Sequence, residues 1–146
     1  NKTTVNKRHS DSTVLAPSVL FDDTQVTLVE EGQPGAKHIL QAFWTDNTWE
    51  FTLRENYFGS VAGEGFTPGL KETWSGKWLA DMAVGYRFSR NLKLTVGADN
   101  VFDTYPDKWN PKTGAPFPQL GFVYGWETLP FGVNGGYYYA RLDFKF

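Results

Sequence analysis

The stretch Gly136–Phe146, GYYYARLDFKF, decides the fold. Tyr138, Ala140, Leu142, Phe144 and Phe146 fall on one side of an alternation whose other side is Tyr137, Tyr139, Arg141, Asp143 and Lys145. A period of two is the mark of a strand with one apolar and one polar face. Such a face needs an apolar phase to meet, and the rest of the chain says which.

The same period recurs upstream. Leu92, Leu94, Val96 and Ala98 alternate with Lys93, Thr95, Gly97 and Asp99 within Leu92–Phe102. Within Trp78–Phe88, Ala80, Met82, Val84, Tyr86 and Phe88 oppose Asp81, Ala83, Gly85 and Arg87. Trp49, Phe51 and Leu53 oppose Glu50, Thr52 and Arg54 in Trp49–Ser60, which follows a strand at Lys37–Trp44. TDNT (45–48) and SRN (89–91) have the composition of tight hairpin turns. The strands run to about ten residues, enough at ~3.3 Å per residue and a ~45° tilt to span a bilayer's hydrocarbon. Strands of ordinary sheets average about five or six.

Composition agrees. Six Trp, seven Tyr and twelve Phe accompany fifteen Gly in 146 residues, yet the mean hydropathy is −0.42. No run approaches the ~18 apolar residues of a membrane helix. An aromatic-rich but hydrophilic chain is what a transmembrane β-barrel looks like, because only alternate residues meet lipid, and it is also what a carbohydrate-binding β-sandwich looks like. The formal net charge of −2 provides no electrostatic case for a nucleic-acid partner. No cysteine is present, which excludes disulfides, thiolate metal sites and a catalytic thiol, and the two histidines, His9 and His38, lie far apart. No nucleophile or phosphate-cradling motif appears, and the acidic doublets Asp22-Asp23 and Glu30-Glu31 fit no calcium loop. The expectation is a protein that is not an enzyme, with no metal and no cofactor.

Connections alternate short and long, as in outer-membrane barrels with short periplasmic turns and long external loops. With the carboxyl end periplasmic, 89–91 and 45–48 are periplasmic, whereas 103–136, 61–77 and the region from about His9 to Ala36 are external. The expected organisation is residues 1–36 as the end of a strand plus an external loop, and residues 37–146 as barrel strands. Val26 and Leu28 would equally suit a short strand, but Asp22 and Asp23 suit the first turn of a short helix within that loop, with Gly32-Gln33-Pro34 as its stop, and the helix is the expectation.

Asp99-Asn100-Val101-Phe102-Asp103 with Tyr105, Pro130-Phe131-Gly132 before Asn134-Gly135, and the terminal YYYARLDFKF together resemble the carboxyl end of TonB-dependent outer-membrane receptors. The likeness extends back to about residue 24. It implies an all-β, antiparallel up-and-down barrel segment, about five to six strands of a 22-stranded barrel in the outer membrane of a Gram-negative bacterium. It also implies an amino-terminal plug, and energy-coupled import of a siderophore–iron complex, a vitamin-like compound or an oligosaccharide. The partners it implies are outer-membrane lipid, the rest of the barrel and its plug, the TonB energy-coupling complex, the barrel-assembly machinery and a small-molecule ligand. Tyr138, Leu142, Phe144 and Phe146 are similar to the signal read by that machinery, with Arg141 where a glycine is often found.

On this basis Arg54, Asp81, Arg87, Lys93, Asp99 and Arg141, with Glu50, Asp143 and Lys145, are expected to face the lumen. An Arg or Lys facing lipid near the midplane costs ~2–4 kcal/mol. Trp44, Trp49, Trp78, Tyr57, Phe58, Tyr86 and Phe88 are expected as interfacial girdle residues. The long loop contains Tyr105, Trp109, Phe117, Phe122, Tyr124 and Trp126, of which Trp109, Tyr124 and Trp126 are the candidates for ligand contact. The alternative is a secreted carbohydrate-binding β-sandwich that stacks sugars on exposed Trp and Tyr.

Overall fold

The chain forms an open antiparallel sheet capped at one end by its loops. The computed structural model describes residues 2–11, 13–65 and 69–146. Strands β1 (Lys37–Thr45), β2 (Trp49–Phe58), β3 (Val61–Glu64), β4 (Lys71–Trp74), β5 (Lys77–Arg87), β6 (Leu92–Asp99) and β7 (Tyr137–Phe144) make an all-β architecture with few helices. The main sheet has the order β1-β2-β5-β6-β7, every pair antiparallel, and β3-β4 is a separate hairpin. β1 and β7 are its edges, and the sheet does not close on itself.

Register carries the alternation across β2, β5, β6 and β7, whereas on β1 Ile39 and Phe43 fall on the polar face, opposite Asn56 and Thr52. Phe51 stands opposite Val84, Val84 opposite Val96, and Val96 opposite Ala140. On the other face Arg54 stands opposite Asp81, Arg87 opposite Lys93, and Thr95 opposite Arg141. A slip of one residue in any pair would mix the two sets. Asp46 sets the first turn, its carboxylate accepting from the amides of Thr48 and Trp49 at 2.6 Å each.

Three strands are shorter than their sequence patterns, β7 ending at Phe144 rather than Phe146. β6 ends at Asp99 rather than Phe102 because Asn100 takes a left-handed conformation (φ 49°) and breaks the ladder. β2 ends at Phe58 rather than Ser60, and the chain turns directly into β3. The expected 61–77 connection is thus largely the β3-β4 hairpin; its residues 66–68 lie outside the described residues.

In the amino-terminal region a turn of helix, α1 (Pro17–Leu20), precedes α2 (Asp23–Glu31). The Asp22 side chain caps α2 by accepting from the Gln25 amide at 2.9 Å, and Gly32 ends it one residue before Gln33-Pro34. Thr24 and Thr27 of α2 donate to Glu64 of β3 at 3.2 and 3.0 Å, which ties the helix to the hairpin.

The buried core lies at the loop end, beyond the sheet. Val61, Trp74, Trp109, Phe117 and Phe131 form it, with Phe58 packed against it. This corrects the girdle expectation for Phe58, which shares the polar face with Arg54 and sends its ring to Phe131 at 5.8 Å. The sheet itself has large apolar side chains in the open: Leu142 is 65% and Phe144 58% exposed.

Candidate functional site

The polar face is organised around Glu50. Its carboxylate accepts from Arg87 at 2.9 Å and pairs with Lys93, so β2, β5 and β6 are linked by charge. Arg87 also donates to the Asn47 carbonyl at 2.9 Å in the first turn. Both pairs are partly solvated, and such pairs are worth about 0–1 kcal/mol each. On β7, Arg141 Nε donates to Asp143 at 3.2 Å. Towards the loop end Asp81 accepts from the Asn100 amide at 2.9 Å and from Asn56 at 3.5 Å. Asp99 lies opposite Tyr137 at the edge of the ladder. Arg54, Asp81, Arg87, Lys93, Asp99 and Arg141 therefore all share one face.

Between these charges lies a depression of about 190 Å³. Ala83, Gly85 and Thr95 form its floor, and Glu50, Lys93, Tyr139 and Arg141 its walls. Tyr139 leans over its register partner Gly97, where an added Cβ would meet the phenol oxygen at 2.5 Å. The Thr95 hydroxyl is buried and makes no hydrogen bond among the described residues. An unpaired buried polar group costs about 1–3 kcal/mol. Glycines beneath long side chains leave no periodic trace, so Gly85, Thr95 and Tyr139 are site residues that alternation alone does not single out.

The opposite face is apolar from edge to edge. His38, Tyr57 and Trp78 stack across three strands near the loop end, with ring centroids 5.7 and 4.7 Å apart. Trp44, Phe51, Trp49, Tyr86 and Phe88 form a second aromatic group at the turn end, with successive centroids 4.7–5.9 Å apart. Phe144 and Phe146 add an edge-to-face pair at 5.3 Å there, with Tyr138 and Leu142 on the same side of β7. Aliphatic residues such as Leu53, Met82, Val84 and Val96 lie between the groups. The single carboxylate among the described strand residues of this face is Glu55, one row inside His38–Tyr57–Trp78.

The loop cap is held by carboxylates. Glu72 of β4 accepts from the Asn110 amide at 2.7 Å and from the Thr113 hydroxyl at 2.8 Å. Asp107 accepts from Ser75 N at 2.8 Å and Lys77 Nζ at 2.6 Å. Burial alone would raise the Asp107 carboxyl, but those donors outweigh it and hold it below the usual carboxylate range. Glu127, pushed against Gly63, is raised by burial, and one of its oxygens has no partner among the described residues. Asp103 accepts from the Gly136 amide at 2.7 Å, and its carboxylate raises the neighbouring Tyr105 phenol.

Within the cap the three aromatic candidates separate. Trp109 is 4% exposed and packs edge-on to Trp74 at 4.7 Å, so it offers no surface to a ligand in this conformation. Tyr124 stacks parallel to Tyr105 at 6.4 Å. Trp126 is 47% exposed and rests on Phe117 at 4.6 Å and Phe122 at 5.6 Å.

Among the described residues no group of three or more metal-ligating side chains occurs, and no helix is long and apolar enough to cross a membrane, which says nothing of crossing by strands. No protein-family model, curated protein or solved structure matches the chain.

Proposed function

We propose that this chain is part of a TonB-dependent outer-membrane receptor, contributing strands of a transmembrane barrel and external loops to energy-coupled import of a scarce small ligand. The observation that carries the proposal is the continuous apolar face, exposed across five strands and bounded at both ends by aromatic rings. A water-soluble sheet of this size buries such a face under a second layer. From Trp78 to Phe88 is roughly 33 Å along the strand at ~3.3 Å per residue, and about 25 Å across the membrane at a ~40° tilt. That matches the ~25 Å apolar band and paired aromatic girdles of outer-membrane barrels. Glu55 sits beside the girdle, where a carboxylate costs little.

The rest follows from the same orientation. The charged face, with Arg54, Asp81, Arg87, Lys93, Asp99 and Arg141, is turned to the lumen. The two unpaired edges join the remaining strands of the barrel, since a bare edge in lipid leaves backbone groups unsatisfied. The loop cap lies outside the cell, with Tyr124 and Trp126 as the aromatic surface offered to ligand. The test is fractionation of cells producing the protein, probed with an antibody to Tyr137–Phe146. Outer-membrane recovery that resists high-salt and alkaline washing is expected; recovery in the soluble fraction would overturn the proposal.

A further inference from the structure

We infer that the depression on the polar face is an oxyanion-binding site, in which Thr95, Lys93 and Arg141 hold a carboxylate or phosphate group of a small ligand. Four strands of this chain build it, so the inference stands apart from the membrane reading.

Three observations converge. Thr95 is 8% exposed and its hydroxyl has no hydrogen-bond partner among the described residues, although the residue lines an open depression. Buried hydroxyls are almost always paired, so this one points to an acceptor supplied from outside. Charge is the second. Arg87, Lys93 and Arg141 carry three positive charges against two negative charges on Glu50 and Asp143, leaving one positive charge in excess. Glu50 is already engaged by Arg87 and Lys93, whereas Arg141 commits only its Nε to Asp143. The guanidinium retains further donors in the fork geometry that suits an oxyanion.

Placement is the third. Thr95 stands directly opposite Arg141, and Lys93 is two residues from Thr95 on the same face. Their Cβ atoms are thus within about 5–7 Å of one another. Gly85 keeps the floor clear, since a Cβ there would lie 3.5 Å from Thr95 Oγ1 and 3.4 Å from the Glu50 Cβ. A water molecule would satisfy the hydroxyl but not the excess charge, and a cation would add to it.

The experiment is calorimetric titration of the full chain in detergent, at constant ionic strength, with inorganic phosphate and separately with acetate. One probe is expected to bind saturably at one equivalent; tighter phosphate binding assigns a phosphate-bearing ligand, and tighter acetate binding a carboxylate. Arg141→Gln and Thr95→Val should each weaken that probe by about tenfold or more, since each removes a hydrogen bond to a charged group. Thr95→Ser should retain binding, as should Lys112→Gln, which removes a distant positive charge. Absence of saturable binding by both probes would overturn the inference. So would an effect below twofold in both Thr95→Val and Arg141→Gln when both variants keep the wild-type circular dichroism. Neither result depends on cellular fractionation, so the two proposals fail separately.

Discussion

Trp74 occupies the space that a side chain at position 125 would need: a Cβ on Gly125 would lie 2.5 Å from Trp74 Cη2 and 2.9 Å from Cε2. Trp74 is fully buried and cannot swing aside. The Gly125 backbone is extended (φ −67°), so alanine brings no dihedral strain and the collision alone sets the effect. Gly125→Ala is expected to destabilise the cap by about 1–3 kcal/mol, as overpacking does. Urea unfolding followed by tryptophan fluorescence measures this, and an unchanged midpoint would contradict the packing described.

Asn100 links three elements at the loop end. Its amide donates to Asp81, and its side chain both accepts from Thr104 N at 3.0 Å and donates to Thr104 O at 2.8 Å. Its left-handed φ costs an ordinary L-residue about 1–2 kcal/mol. Asn100→Gly loses only the side-chain bonds, whereas Asn100→Ala also acquires the backbone strain. Alanine should therefore be the more destabilising by about 1 kcal/mol. Equal losses in chemical denaturation would show that the left-handed conformation is not required.

Glu127 and Asp107 give the cap opposite pH limbs. The Glu127 carboxyl is raised by burial, so its stabilising neutral form is fully present below the ordinary carboxylate range of about 4. That contribution is lost as pH rises through the folded value. Asp107 is lowered, so its contribution is present above about 4 and is lost as pH falls through its folded value. Glu127→Gln should remove the decline on the alkaline side of pH ~4, and Asp107→Asn should flatten the acid limb. Hydrogen exchange of the 105–131 amides across pH reads both, and parallel profiles for wild type and either variant would be the contrary result.

The two faces of the sheet predict unequal tolerance of charge. Val84 is on the apolar face and Gln41 on the polar one, both on strands of the main sheet. Val84→Arg should lower stability in lipid bilayers by about 2–4 kcal/mol, while Gln41→Arg should stay within roughly 0.5 kcal/mol of wild type. Refolding into phospholipid vesicles at a series of urea concentrations measures the difference. Equal behaviour would mean that the apolar face does not meet lipid.

A buried loop aromatic supports the cap as a unit. Phe131 is 2% exposed, and Phe131→Ala should cost about 3–5 kcal/mol of cap stability. Amides of 105–131 should then exchange faster while those of β2 and β5 remain protected. Uniform acceleration through the sheet would instead show that cap and sheet unfold together.

The strands were legible because their signal is local. Alternation in Tyr137–Phe144 or Lys77–Arg87 needs no distant partner, and Asp46 within its turn, or Asp22 at the start of α2, needs only neighbours a few residues away. The same alternation sorted Arg54, Asp81, Arg87, Lys93, Asp99 and Arg141 onto one face. The short β3 and β4 strands were not legible. They are four residues each, too short for a period to show, and they persist because Val61 and Trp74 bury against Trp109, Phe117 and Phe131, residues far along the chain. Trp109 and Trp126 look alike in sequence; packing buries the first and exposes the second.

The sequence by itself determined a long-stranded antiparallel sheet with one charged and one apolar, aromatic-ended face, because side-chain direction in a strand is fixed by position alone. Only the tertiary structure decided what register assembles. It brought Arg141 beside Thr95 and Lys93 around one depression, seated the Phe58 ring against Phe131, and placed the buried core at the loop end, because those outcomes depend on contacts between residues that no local period relates.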